Sequence, residues 1–316
     1  MNRYLSRPSL LYCHSMVVML VLTLCMAPVF AAVKLDPVII GKASGATPTV
    51  ADDGVIRIGW SRTDVAVTVD GMTLPAPAGL GSWAAFTAMG DHAMVMGDTV
   101  VFQDEVDAAM NAAFANGLGV TGLHNHFFFD SPKVYFMHIG GEGKADALAA
   151  GVKAVWDAIR AIRAARPQPA SGFGGATPIP GDFDAEALAK IIGHPATTTD
   201  GVVKFTIGRT GRMHGQQIGA SMGLTTWAAF SGSDALAAID GDFIMTADEV
   251  QPVLRALRAA GLHVVALHNH MMGEQPGFYF THYWGKGPAT ELARAFRSAL
   301  DAQAVVSKVQ AQEHAP

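Results

Sequence analysis

The sequence predicts an α+β protein made by tandem duplication of one mixed strand/helix unit: two sheets with helices packed on them, related by a pseudo-twofold. Three observations predict it. First, long segments recur. "GSWAAF" at 81–86 answers "TTWAAF" at 225–230, "MGDTVVFQDEV" at 96–106 answers "DGDFIMTADEV" at 240–250, and "LHNH" at 123–126 answers "LHNH" at 267–270. From Trp83 and Trp227 through His138 and His282 the copies stay in step without an insertion, which marks one repeated supersecondary unit. Second, short β-rich runs alternate with helical periodicity inside each copy, as strands carrying helices require. Third, "RPQPASGFGGATPIPG" at 166–181 separates the copies with the Pro/Gly composition of a linker.

The elements follow in chain order. Residues 1–31 read as a cleavable export signal: Arg3 and Arg7 precede the apolar run "MVVMLVLTLCMAPVF", and Val29 and Ala31 supply small residues before the cut. The run is shorter than the ~20 residues of a spanning helix, the alternative being an uncleaved anchor. Leu24, where a small residue is needed before Cys25, disfavours lipidation. Repeat 1 then occupies 33–166, the linker 167–181, repeat 2 182–307 and a tail 308–316. In repeat 2, a short helix over 185–192 leads to strands at "VVKFTIGR" and "TTWAAFSG", a short strand at "DFIM" and a helix over "ADEVQPVLRALRAAG". That helix aligns Val250, Val253, Leu254 and Leu257 in one stripe, with Gly261 to end it. Strands at "HVVALHNHM" and "FYFTHYW" and a closing helix at "ATELARAFRSALDA" complete the unit. "VVAL" is apolar at every position, which fits an interior strand.

Composition narrows the chemistry. With 316 residues, 16% charged and a net charge of −5, the chain has no basic footprint, so nucleic acid is not an expected partner. Its two cysteines, Cys13 and Cys25, both fall in the signal, so a metal site must use His, Asp or Glu. After signal cleavage no membrane association is expected. The partner is expected to be a small molecule or another exported protein.

The histidines carry the chemistry. Side chains alternate across a strand, so His124 and His126 share a face, as do His268 and His270. If residues 131–133 and 275–277 are three-residue hairpin loops, His126 falls opposite His138 and His270 opposite His282, with Gly277 in a left-handed conformation. Three imidazoles converging from a two-stranded ribbon suit Zn²⁺, or copper or iron. The metal candidates are therefore His124, His126, His138, His268, His270 and His282. A polar pocket without metal and a purely structural imidazole network are the alternatives. Glu105 and Glu249 are candidate fourth ligands or general bases. Glu249 completes a capping box with Thr246, whereas Phe102 at the matching position cannot cap, so Glu105 needs a second role. Three such ligands with an open position suit metal-assisted hydrolysis.

The other polar residues read as bland. Asn125 and Asn269 face away from the histidines and bond backbone. Tyr135 and Tyr279 lie on the opposite face by parity. Trp83 and Trp227 are core or pocket wall. His214 matches Asp70 and falls outside the repeated set, and His92, His194 and His263 read as surface or loop residues.

The segments "MGLTTWAAFSG", "DGDFIMTADEVQPVLRALRAAG", "VVALHNHMMGEQPGFYFTHYWGKGPA", "GLGSWAAF", "MVMGD" and "LHNHFFFDSPKVYFMHIGGEG" resemble the LppY/LpqO family of exported proteins, over essentially the whole mature chain. The resemblance implies export and a duplicated domain of unknown function. It implies no reaction and no catalytic residue. Leu24 departs from the lipid-anchor pattern of that family.

Overall fold

Six strands per repeat line up in one sheet. The computed structural model describes residues 34–313, so the expected signal, with Cys13 and Cys25, lies outside the described residues. Repeat 1 supplies β1 (Thr49–Val50), β2 (Ile56–Ser61), β3 (Gly81–Met89), β4 (His92–Phe102), β5 (Gly119–His124) and β6 (Val134–Gly143). Repeat 2 supplies β7 (Ala196–Thr199), β8 (Val202–Gly208), β9 (Thr225–Gly232), β10 (Ala237–Thr246), β11 (His263–His268) and β12 (Phe278–Gly287). Their order is β1-β2-β3-β4-β6-β5-β11-β12-β10-β9-β8-β7, the same sequence of six read inward from each edge. The fold is thus α+β and duplicated. The two sheets expected from the sequence are fused edge to edge, because β5 and β11 pair antiparallel with Leu123 opposite Leu267. Fusion hides two strand edges that would otherwise present unpaired backbone, and it gives the apolar "VVAL" strand its interior position.

Among the described residues, the α-helices pack on one face of the sheet. They are α1 (Pro37–Ser44), α2 (Val106–Ala115), α3 (Ala145–Ala165), α4 (Ala185–Ile192), α5 (Ala247–Ala259) and α6 (Ala289–Glu313). The α5 stripe of Val250, Val253, Leu254 and Leu257 is buried, and Gly261 follows the helix at φ 81°. β10 is longer than the "DFIM" segment, and α6 continues through the expected tail to the end of the described chain. Against the helices the sheet turns Val101, Leu123, Met137 and Ile139 into one large core with Trp156 and Leu254. Alternation sends Val100, Phe102, Val134 and Phe136 to the other face, where they join a small cluster with Val65, Val67, Leu74 and Leu80. Repeat 2 builds its counterpart from Ile218, Leu224, Ile244, Phe278 and Phe280.

A small hairpin lies over that second face in each half. In repeat 1, Thr68–Val69 pairs with Met72–Thr73 and with Asp130–Ser131. In repeat 2, Gly211–Met213 pairs with Gln216–Ile218, and Arg212 exchanges backbone hydrogen bonds of 2.9 and 2.8 Å with Gln275. Asp70 and His214 both occupy the hairpin turn at φ 48° and 49°, so His214 is a turn residue. The linker is held down by Lys286, whose Nζ donates to Gly174 O, and by Phe173, which stacks on His263 at 3.6 Å. His263, expected at the surface, instead sits at the junction of the halves. There it pairs with Asp107, because β11 starts beside α2.

Gln251 of α5 clamps the junction. Its Nε2 donates to Val120 O at 2.7 Å and its Oε1 accepts from Val120 N at 3.0 Å. Leaving that backbone pair unmet costs about 1–3 kcal/mol. Gln251→Ala is therefore expected to lower the unfolding free energy by about that amount in urea titrations, with an unchanged far-UV dichroism spectrum.

Candidate metal centre

A cross-strand row organises the site in each half. In repeat 1, Trp83 of β3 stands opposite Asp98 of β4, Asp98 opposite His138 of β6, and His138 opposite Gly122 of β5. In repeat 2 the row is Trp227, Asp242, His282 and Ala266. All lie on the face away from the helices, since Leu123 and Met137 take the helical face. Cross-strand neighbours have Cβ atoms ~4.5–5.5 Å apart, so a carboxylate and an imidazole meet without any special loop. The tryptophans end the row as walls, each under a cation: Arg57 lies 4.5 Å from the Trp83 ring and Lys204 Nζ 4.4 Å from that of Trp227.

The expected hairpin register does not occur. His138 faces Gly122, not His126, and His282 faces Ala266, not His270. The chain leaves β5 at Asn125, whose Nδ2 bonds Phe127 O at 2.9 Å, and Asn269 bonds Met271 O in the same way. Residues 130–131 then pair with the small hairpin instead of with β5. The true connections are residues 125–133 and 269–277, and Gly277 is not left-handed. The displacement, from 126 to 122, is an even number of residues, so each histidine keeps its predicted face. A β-bulge between Val120 and Gly122, matched between Val264 and Ala266, sets the final aim.

The three imidazoles of each copy converge. His124 and His138 bring their Nε2 atoms to 3.0 Å, with ring centres 4.9 Å apart, and His126 lies 5.2 Å from His124. His126 is held flat on Phe136, at 3.3 Å and 5°. In repeat 2, His268 Nε2 lies 3.1 Å from His270 Nε2, and His282 stacks 4.9 Å from His268. Phe280 is the floor for His270, at 3.5 Å and 9°. Two imidazole nitrogens this close must share a proton or a cation. Ligands at ~2.0–2.1 Å from one tetrahedral Zn²⁺ would be ~3.3 Å apart, so the observed spacing suits a metal.

The carboxylate that reaches the histidines is Asp98 or Asp242, a residue the sequence reading missed. Asp242 Oδ2 lies 3.1 Å from His270 Nε2, and the ligand atoms of Asp242, His268 and His270 all fall within 4.8 Å of one another. In repeat 1, Asp98 Oδ1 is 3.9 Å from His138 Nε2, a looser arrangement. Both carboxylates are buried, and one oxygen of each has no hydrogen-bond partner, nor has His268 Nδ1. Burial pushes the Asp98 and Asp242 carboxyls up, against the pull of the neighbouring histidines. Burial and the facing rings push His126 down, and His268 down to about 4. His268 is therefore neutral at neutral pH, the form a metal needs. His282 Nδ1 lies 3.0 Å from Gly241 O, and donation there would leave Nε2 free for a ligand role. The signal for the aspartates was visible: a Gly-Asp pair at the same place in both copies, followed by an apolar run.

Glu105 and Glu249 do not join the histidines. Glu105 is wholly buried and takes both ends of the Arg62 guanidinium, at 2.8 and 2.9 Å, with Arg163 at 2.8 Å and the Phe102 amide at 2.8 Å. Burial nonetheless pushes its carboxyl up. Glu249 keeps its half of the capping box, accepting from the Thr246 amide at 2.9 Å, and pairs with Arg209, Gln303 and Ser307. Burial would raise its carboxyl, but the Arg209 guanidinium and the Thr246 amide outweigh it and hold the group low. Glu105, expected as a fourth ligand or general base, is instead the centre of a buried ion-pair network, because Arg62 and Arg163 reach it and the histidines do not. Arg62 and Arg209 were missed because insertions put them out of the repeat spacing.

One comparison with known proteins gives a family, and none gives a reaction. The model of the family described as Domain of Unknown Function (DUF1259) matches residues 39–158 and 186–302, and the chain belongs to that family. No curated protein matches it. Among solved structures, it is similar to a trimeric bacterial microcompartment shell protein, PduB, at 11% identity over 84% of this chain and 93% of that one, TM-score 0.19. It is also similar to EutL from Clostridium perfringens, at 14% identity over 68% and 81%, TM-score 0.20. Likenesses this faint carry nothing over to this chain. Among the described residues, no helix is long and apolar enough to cross a membrane.

Removing Glu105 takes the buried partner from Arg62 and Arg163, leaving Arg62 only the partly exposed Asp64 and the Val100 carbonyl, whereas removing the Asp98 charge relieves a buried carboxylate. Glu105→Ala is expected to cost about 3–5 kcal/mol of stability by denaturant titration, and Asp98→Asn less than about 1 kcal/mol.

Proposed function

We propose that this chain is a metal-binding protein whose principal centre is Asp242, His268, His270 and His282, with Asp98, His124, His126 and His138 as a second, looser centre. One observation carries the reading: the carboxylate and two imidazoles of repeat 2 that come within bonding range of one point. Imidazole with carboxylate and no thiolate suits zinc foremost, then copper or iron. His124, His138 and His268 open on a cleft of about 480 Å³, so a bound ion would keep a face toward solvent. A metal in such a site would acidify a bound water, which makes a metal-dependent hydrolase the enzymatic form of the proposal. Glu105 and Glu249, held by arginines, are poor candidates for its base.

A non-catalytic ligand- or protein-binding module is the second reading. Phe128, Phe129 and Met272, at 79%, 79% and 83% exposed, favour it by giving the loops after both His pairs an apolar rim. We further place the protein outside the cytoplasm, periplasmic or secreted, and within the LppY/LpqO group. The charged, then apolar, then small-residue order of its first 31 residues and the long shared motifs support this.

Elemental analysis of the purified protein tests the reading. About one equivalent of zinc, copper or iron is expected to remain after dialysis, with a second taken up more weakly. His268→Ala/His270→Ala should abolish the tight equivalent and Asp242→Asn should weaken it about 10–100-fold. Less than ~0.1 equivalent with no uptake of added zinc would end the proposal.

A further inference from the structure

The two copies differ at one carboxylate beside the cleft, and the difference points to a ligand. Asp130 and Glu274 are equivalent residues of the two loops. Each uses one oxygen to accept the backbone N–H four residues on: Val134 N to Asp130 Oδ2 at 2.7 Å, and Phe278 N to Glu274 Oε1 at 2.8 Å. In repeat 1 the other oxygen of Asp130 is met by Lys133 Nζ at 3.0 Å. In repeat 2 the matching residue is Gly277, and Glu274 Oε2 has no hydrogen-bond partner although Glu274 is only 8% exposed. An unmet, buried carboxylate oxygen is costly and calls for a partner. Both Glu274 and Gly277 line the cleft that His268 opens on, and a side chain at Gly277 would meet nothing within 4 Å. The backbone at Gly277 therefore leaves room for the first atoms of a group that would stand where the lysine stem stands in repeat 1.

We propose that the repeat 2 cleft binds a small molecule carrying a protonated amine, and that this amine enters past Gly277 and takes the place of the lysine Nζ on Glu274. A carboxylate or other oxygen at the far end of the same ligand faces the histidine cluster; this second contact rests on the metal-binding reading, whereas the amine contact does not. Repeat 1 cannot bind in the same way, because its own lysine occupies the position.

Calorimetry with glycine, β-alanine and γ-aminobutyrate against acetate, propionate and butyrate tests it, with and without one equivalent of zinc. At least one amino acid is expected to bind about tenfold or more tightly than its amine-free counterpart, since a charge-assisted contact to a dry carboxylate distinguishes them. That ratio should fall to about one in Gly277→Lys, which rebuilds the repeat 1 ion pair, and in Glu274→Gln. Gly277→Lys keeps the carboxylate, so it decides the matter even if Glu274→Gln fails to fold. The ratio reports on Glu274 in both zinc states, whereas strengthening of both series by zinc reports on the metal centre. A ratio near one in the unmodified protein, no binding of any amine, or a ratio that survives Gly277→Lys would overturn the assignment.

Discussion

The site depends on a row of directly opposed side chains running across neighbouring antiparallel strands. Asp98 and His138, like Asp242 and His282, are brought together by backbone hydrogen bonding and not by loop geometry. The same alternation that commits Val101, Leu123, Met137 and Ile139 to the helices fixes the aspartate and histidines on the uncovered face. Shifting any of these strands by one residue would move polar groups into the core and apolar ones into the cleft. The large apolar core therefore holds the register on which the small polar site relies. The stacking floors follow from the same rule, because Phe136 and Phe280 precede His138 and His282 by one strand period.

Duplication makes each half a control for the other. Shared features include the cross-strand row, the bulge beside Gly122 and Ala266, the asparagine turn, and the buried glutamate–arginine pair. Differences are local. Repeat 2 brings Asp242 to 3.1 Å from an imidazole where repeat 1 leaves Asp98 at 3.9 Å. It also replaces a lysine with glycine beside a buried carboxylate. Neither change touches the apolar core. The fusion through β5 and β11 sets the two histidine groups along one cleft.

Much of this was legible in the sequence, for definable reasons. Duplication, fold class and the shared face of His124, His126 and His138 rest on period and parity, which survive an even error in register. The register itself was illegible, because it depends on Asn125 ending the strand and on residues 130–131 pairing with a hairpin 60-odd positions earlier. Asp98 and Asp242 were present in the matched segments but lay on a third strand, whose adjacency to β6 no local pattern reveals. Glu105 was read as a ligand or general base beside the histidines. The partner proved to be Arg62, which insertions in the repeat had shifted out of alignment, and not an ion.

The central claim is that imidazoles from two adjoining strand segments, with the aspartate of a third, hold one ion in repeat 2. X-ray absorption at the zinc edge on protein loaded with one equivalent tests it most directly. The account predicts at least two imidazole ligands at ~2.0–2.1 Å with an oxygen at similar distance, and loss of the imidazole signature in His268→Ala/His270→Ala. A first shell of water oxygens alone, or an imidazole shell unchanged in that variant, would contradict it.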